Sequence, residues 1–131
     1  MIKIRGLDHI VLRVIDLEAM LHFYRDALGC PIERRQDELG LIQLRAGNAL
    51  IDLVPVGSKL GRVGGAAPGA EGHNMDHLCL RLDGFDGEVL RRHFTALGYA
   101  AGEVATRYGA DGEGPSLYLT DPDGNVVELK G

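Results

Sequence analysis

The chain states one pattern twice. Leu7-Asp8-His9-Ile10-Val11-Leu12-Arg13-Val14 returns as Met75-Asp76-His77-Leu78-Cys79-Leu80-Arg81-Leu82, each copy a short aliphatic run with a single histidine. A duplicated unit therefore places two histidines on equivalent strands. The echo continues past the strands. Ile15-Asp16 and Phe85-Asp86 open helical stretches that close at Ala27-Leu28-Gly29 and Ala96-Leu97-Gly98. Asp16 and Asp86 can cap the free amides of the first turn, and Ile15 with Met20, like Phe85 with Leu90, has hydrophobic-staple spacing. Gly29 and Gly98 supply the left-handed residue that ends a helix. Each copy then closes on a Gly-Asn turn and an aliphatic strand with one acid. These are Gly47-Asn48 leading to Asp52 and Gly124-Asn125 leading to Glu128.

Two short extended runs fill each interval between helix and acid strand, residues 32–36 and 41–45 in the first copy and 103–108 and 116–120 in the second. Each module reads β-α-β-β-β, so the fold class is α+β. Asp121-Pro122-Asp123-Gly124 is a strong turn signal, with proline preset for the second position and glycine free to take positive φ. At 131 residues the chain has one domain's length, and half of it could hardly bury a core alone. We therefore expect a single domain over 1–131, built from modules 1–56 and 75–131 that share a core. They are joined by loop 57–74, which holds six glycines and no apolar period. A connection this long is either mobile or a cover for a binding site, and residues 109–114 read as a second mobile tip.

Charge narrows the partners. A net charge of -5 with no Lys/Arg cluster argues against nucleic acid or an anionic membrane, leaving a small-molecule substrate. Cys30 and Cys79 stand at non-equivalent places in the repeat and read as free thiols of a reducing compartment. With no apolar run of signal or spanning length, the expected location is cytoplasmic.

Strand parity fixes which side chains face each other. Ile10, Leu12 and Val14 share one face and His9, Val11 and Arg13 the other; Leu78, Leu80 and Leu82 oppose His77, Cys79 and Arg81. The aliphatic faces should receive the helices, through Leu17, Leu21, Tyr24 and Leu28 in the first and Val89, Leu90, Phe94 and Leu97 in the second. Asp52 and Glu128 each sit alone in an aliphatic strand, where a buried carboxylate without a partner is costly. Should His9, Asp52, His77 and Glu128 converge, one divalent cation would resolve that cost, with positions left open for water or substrate. The remaining polar residues have plainer readings. His22 and His93 fall on solvated helix surface and His73 in the loop. Asp8 and Asp76 are structural partners of the histidines beside them, and Arg13 and Arg81 belong to a rim.

Three stretches carry a resemblance. Gly6-Leu7-Asp8-His9-Ile10-Val11-Leu12, Phe23-Tyr24-Arg25-Asp26-Ala27-Leu28-Gly29 and the run from Tyr118 to Leu129, with its Asp-Pro-Asp-Gly-Asn-x-x-Glu core, resemble the vicinal oxygen chelate superfamily. That group includes glyoxalase I, extradiol dioxygenases, fosfomycin resistance enzymes and bleomycin resistance proteins. The resemblance implies paired βαβββ modules in an open, cup-shaped mixed sheet with helices on the outer face. It also implies one divalent metal ion per chain (Zn, Ni, Mn or Fe) held by His9, Asp52, His77 and Glu128. Asp52 stands where metal-binding members more often carry Glu or His.

Three functions follow from the resemblance. With all four ligands, the site resembles a metal-dependent lyase or isomerase of the glyoxalase I type. Its substrate chelates the metal through vicinal oxygens, and Glu128 is the catalytic proton carrier. With only His9, His77 and Glu128, it resembles an Fe(II) extradiol dioxygenase. A metal-free sequestering module like the bleomycin resistance proteins is the third, although a chain with no Trp and three Phe offers little flat aromatic surface to a planar drug. Short two-module chains of this superfamily commonly pair, which implies a homodimer that covers open strand edges.

Overall fold

A computed structural model describes residues 1–131. The chain divides into two compact units, Met1–Pro68 and Gly69–Gly131, that follow the two copies of the repeat. The first contains β1 (His9–Val14), α1 (Leu17–Leu21), β2 (Ile32–Gln36), β3 (Leu41–Ala46) and β4 (Ala49–Pro55). The second contains β5 (His77–Arg81), α2 (Gly87–Ala96), β6 (Ala105–Gly109), β7 (Gly112–Thr120) and β8 (Val126–Lys130). Each unit is thus one βαβββ module with a four-stranded mixed sheet, ordered β1-β4-β3-β2 in the first and β5-β8-β7-β6 in the second. In each, the opening strand runs parallel to the closing one, and the other neighbours are antiparallel.

Local chemistry explains the matching boundaries. Asp16 Oδ1 accepts from the Ala19 amide at 3.0 Å and Asp86 Oδ1 from the Val89 amide at 3.1 Å, so both helices begin on the cap that the sequence predicts. Gly29 and Gly98 end them at φ 79° and 86°. The first helix departs from expectation after Leu21. It widens into a π-helical turn over His22–Ala27, and the Leu28 amide reaches the Phe23 carbonyl at 2.9 Å. Phe23 and Tyr24, adjacent in sequence, are both fully buried, and a wider turn brings adjacent side chains toward one face.

The aliphatic faces form the cores. Leu12, Val14, Ile42, Leu44, Ile51 and Leu53 are buried in the first unit with Met20, Leu21, Phe23 and Tyr24 of the helical segment. In the second unit Leu117, Leu119, Val127 and Leu129 are buried with Phe94. The stripe expected on α2 is narrower than its spacing suggests, because Phe94 alone is buried while Val89 and Leu97 are exposed.

Two segments expected to be mobile are better tied than their composition implies. The tip at 109–114 is a tight hairpin in which Gly109 pairs with Gly112, and β7 starts there. The front of loop 57–74 is anchored too. The Leu60 amide bonds the Leu39 carbonyl, and a 3-10 turn runs over Gly61–Gly64. No helix is long and apolar enough to cross a membrane.

Candidate metal and substrate site

In the first unit the parallel register sets Val11 opposite Asp52 and His9 opposite Leu50, so both candidate ligands lie on the sheet face away from the core. His9 is exposed, and its Nδ1 is 2.6 Å from Asp8 Oδ1. Asp8, assisted by the Asp52 charge, holds the His9 pKa above the ordinary histidine value. Asp52 is 3% exposed. Its two oxygens accept from Gln43 Nε2 at 3.3 and 3.2 Å, so the carboxylate has a partner that parity within one strand does not disclose.

The second unit repeats the arrangement with Glu128 in the place of Asp52 and Tyr118 in the place of Gln43. His77 Nδ1 is 2.7 Å from Asp76 Oδ2, and His77 Nε2 stands 3.2 Å from Glu128 Oε2. Glu128 is 6% exposed, and its Oε1 is buried without a hydrogen-bond partner. Cys79 faces Glu128 across the β5–β8 ladder, and burial together with that carboxylate pushes its thiol pKa up. The slot that Gln43 fills opposite Asp52 is filled opposite Glu128 by Tyr118. The Tyr118 ring meets His77 edge-on, with centroids 5.5 Å apart, and carries the Arg107 guanidinium at 4.4 Å from its centroid.

These residues suit a divalent ion. A ligating histidine usually gives its second ring nitrogen to a carboxylate or carbonyl, which fixes the tautomer and aims the other nitrogen. Asp8 and Asp76 engage Nδ1 of the two histidines, so Nε2 is the nitrogen each ring turns away from its aspartate. The orphaned Glu128 Oε1 is the sharper observation, because a buried carboxylate oxygen with no donor is rare and costly. No three His, Cys, Asp or Glu side chains gather as a metal-holding group in the structure; each unit holds one of the histidines and one of the acids.

Other candidates resolve into structure. Arg13 donates to the carbonyls of Gly61 at 3.1 and 2.8 Å, Gly65 at 2.7 Å and Ala66 at 2.9 Å, so it clamps the loop instead of lining an open rim. Arg81 pairs with Asp111 at 3.2 Å. Gln43 and Tyr118 are the residues that reading each strand separately misses. Counting outward from the turns finds them: Ala46 pairs with Ala49 and Thr120 with Val126, which sets Gln43 against Asp52 and Tyr118 against Glu128.

With the repeated strand, the capped helices and the two histidine–acid pairs in place, comparison with known proteins gives one family. The signature of the glyoxalase/bleomycin resistance protein/dioxygenase superfamily matches residues 6–129. The chain belongs to this superfamily. Mitochondrial methylmalonyl-CoA epimerase of Mus musculus is 27% identical over 135 residues, covering 98% of this chain and 74% of that protein. An integron cassette protein from the mobile metagenome of V. cholerae has the same fold, with TM-score 0.75, 29% identity and coverage of 99% of this chain and 97% of that one. A lactoylglutathione lyase from Agrobacterium tumefaciens shares the fold at TM-score 0.69 and 22% identity, covering 98% and 94%. Superfamily membership carries small-molecule chemistry, in a group that contains many enzymes.

Proposed function

We propose that this protein is a divalent-metal-dependent lyase or isomerase that moves a proton on a carbon next to a carbonyl, with His9, Asp52, His77 and Glu128 as its ligand set. The observation that carries the reading is Glu128. Its Oε2 lies against His77 Nε2 while Oε1 is buried and unpartnered, which is how a carboxylate stands when a cation is its intended partner. The bound metal, Zn²⁺, Ni²⁺, Mn²⁺ or Fe²⁺, would polarise the neighbouring oxygens of the substrate as a Lewis acid. His9 and His77 present Nε2 because Asp8 and Asp76 hold their other nitrogen. Glu128 takes the proton from the carbon beside the substrate carbonyl and returns it to the adjacent carbon or to the opposite face, so no redox partner is required. The likeness to an epimerase supports this class of step. In Glu128→Gln the carboxamide cannot take up the proton, and solvent-deuterium exchange into a thioester or hemithioacetal substrate should fall about 10²- to 10⁴-fold. Exchange at the wild-type rate in that variant would remove Glu128 from the reaction.

One observation favours a second reading. Gln43 Nε2 already donates to both Asp52 oxygens, so this carboxylate, unlike Glu128, has a hydrogen-bond partner without a metal. Without Asp52 the set becomes two histidines and one carboxylate, the arrangement of Fe(II) oxygenases. Catechol-dependent O₂ uptake by the iron-loaded protein is the decisive assay for it.

A further inference from the structure

The two histidines are held unequally. Asp8 and Asp76 reach Nδ1 of His9 and His77 at 2.6 and 2.7 Å, but both carboxylates stand out in solvent, with side chains 90% and 97% exposed. A bond between such exposed neighbours restrains a ring only weakly. For His9 it is the one hydrogen bond, because the Gln43 amide goes to Asp52. His77 has more. Its Nε2 meets Glu128 Oε2 at 3.2 Å, and the Tyr118 ring meets its ring with centroids 5.5 Å apart and planes at 77°. An edge-on contact at this separation is a favourable arrangement for two aromatic rings.

Tyr118 is restrained in turn. From the edge strand β6, the Arg107 guanidinium lies over its ring at 4.4 Å from the centroid, a cation–π contact. Arg107 Nη1 donates to Ser116 O at 3.0 Å and Ser116 Oγ at 2.8 Å, and Ser116 is fully buried, so the guanidinium is anchored to the interior of the sheet. Leu117 and Leu119 carry the core on the other face of β7, which leaves the Tyr118 ring outside the packed aliphatic interior. We propose that Arg107 and Tyr118 brace the His77 ring, which makes Tyr118 a positioning residue for the metal-dependent step and the second unit the preordered half of the ligand set. The part the brace plays in metal binding rests on the reading above; the brace itself does not. A ring ordered before the ion arrives loses less freedom on binding, so metal affinity depends on Tyr118 through His77.

The test is carbon-13 relaxation of the histidine rings in the metal-free full-length protein, beside Mn²⁺ affinity read by electron paramagnetic resonance. In wild type the His77 ring should be more ordered than that of His9. Tyr118→Leu should lower His77 order to the level of His9 and weaken Mn²⁺ binding about two- to tenfold. Arg107→Met should do both to a smaller degree, and it carries the test if Tyr118→Leu fails to fold. Tyr118→Phe keeps the ring that makes both contacts and should match wild type. Equal order of the two histidines in wild type, unchanged His77 order in Tyr118→Leu and Arg107→Met, or a Tyr118→Phe as weak as Tyr118→Leu would overturn the brace. A mobile His77 ring with wild-type Mn²⁺ affinity would overturn the positioning role. Wild type with an ordered His77 ring that takes up no Mn²⁺ would overturn the metal reading alone.

Discussion

The four candidate ligands differ most in what stands opposite them. Gln43 satisfies Asp52 with its side-chain amide, while Tyr118 holds the corresponding place opposite Glu128, whose Oε1 has no hydrogen-bond donor. Removing the amide should therefore hurt at Asp52. Gln43→Leu leaves a buried carboxylate unpaired and should lower metal-free stability by about 1–3 kcal/mol, read from urea denaturation. If Asp52 ligates metal, saturating Zn²⁺ should recover much of that loss; an equal loss with and without metal would remove Asp52 from the ligand set. Cys30 gives the pH dependence. Burial raises its pKa, so the folded state favours the neutral thiol; its contribution is complete below the unfolded-chain pKa and is lost as pH rises through the folded value. The urea midpoint of wild type should fall more steeply above the ordinary cysteine range than that of Cys30→Ala. The strand faces of His9, Asp52, His77 and Glu128 were legible in the sequence because alternation along a strand decides which face a residue takes. Gln43 and Tyr118 were not, since a residue across a ladder is found only through the register that the turn imposes.

Helix caps and turns show why some elements can be read directly and others cannot. Asp16, Asp86 and the Asp121 turn act over two to four residues: Asp121 Oδ1 accepts from the amides of Asp123 and Asn125, each at 2.9 Å. Their signals lie in adjacent letters. The Asp16→Ala and Asp86→Ala variants should each lose about 1 kcal/mol in chemical denaturation, as the loss of an N-cap does elsewhere. Loop 57–74 shows the opposite case. Its glycine content reads as mobility, yet Arg13, some fifty positions earlier, holds three of its carbonyls, and only the three-dimensional structure discloses that contact. Gly64 is part of the same fit, because a Cβ there would press on the Arg13 guanidinium. Arg13→Met should thus speed amide exchange over residues 57–66 and leave 67–74 unchanged. Equal protection in both proteins would show that the 3-10 turn and the Leu39 contact hold the loop without the arginine.

At the scale of the whole molecule, duplication gives each unit one histidine, one acid and a dry core on the opposite face, so ligand removal and folding are separable. Exposed Met1, Ile2, Ile4 and Leu7 precede β1 in the sequence and exposed Val11 lies within it, and β1 ends its sheet. An edge strand flanked by uncovered aliphatic residues favours association, and light scattering at micromolar concentration should report a homodimer. A monomer there would contradict it. Metal should also stabilise the protein, because an ion that binds only the folded chain adds about 2.7 kcal/mol at a hundredfold excess over its dissociation constant. The comparison of Asp52→Ala with Glu128→Ala then weighs the two acids. Comparable losses of Mn²⁺ affinity would identify two carboxylate ligands and the proton-transfer class. A metal-replete Asp52→Ala beside a metal-free Glu128→Ala would leave two histidines and one carboxylate, and catechol-dependent O₂ uptake by the iron-loaded wild type would then replace the isomerase reading.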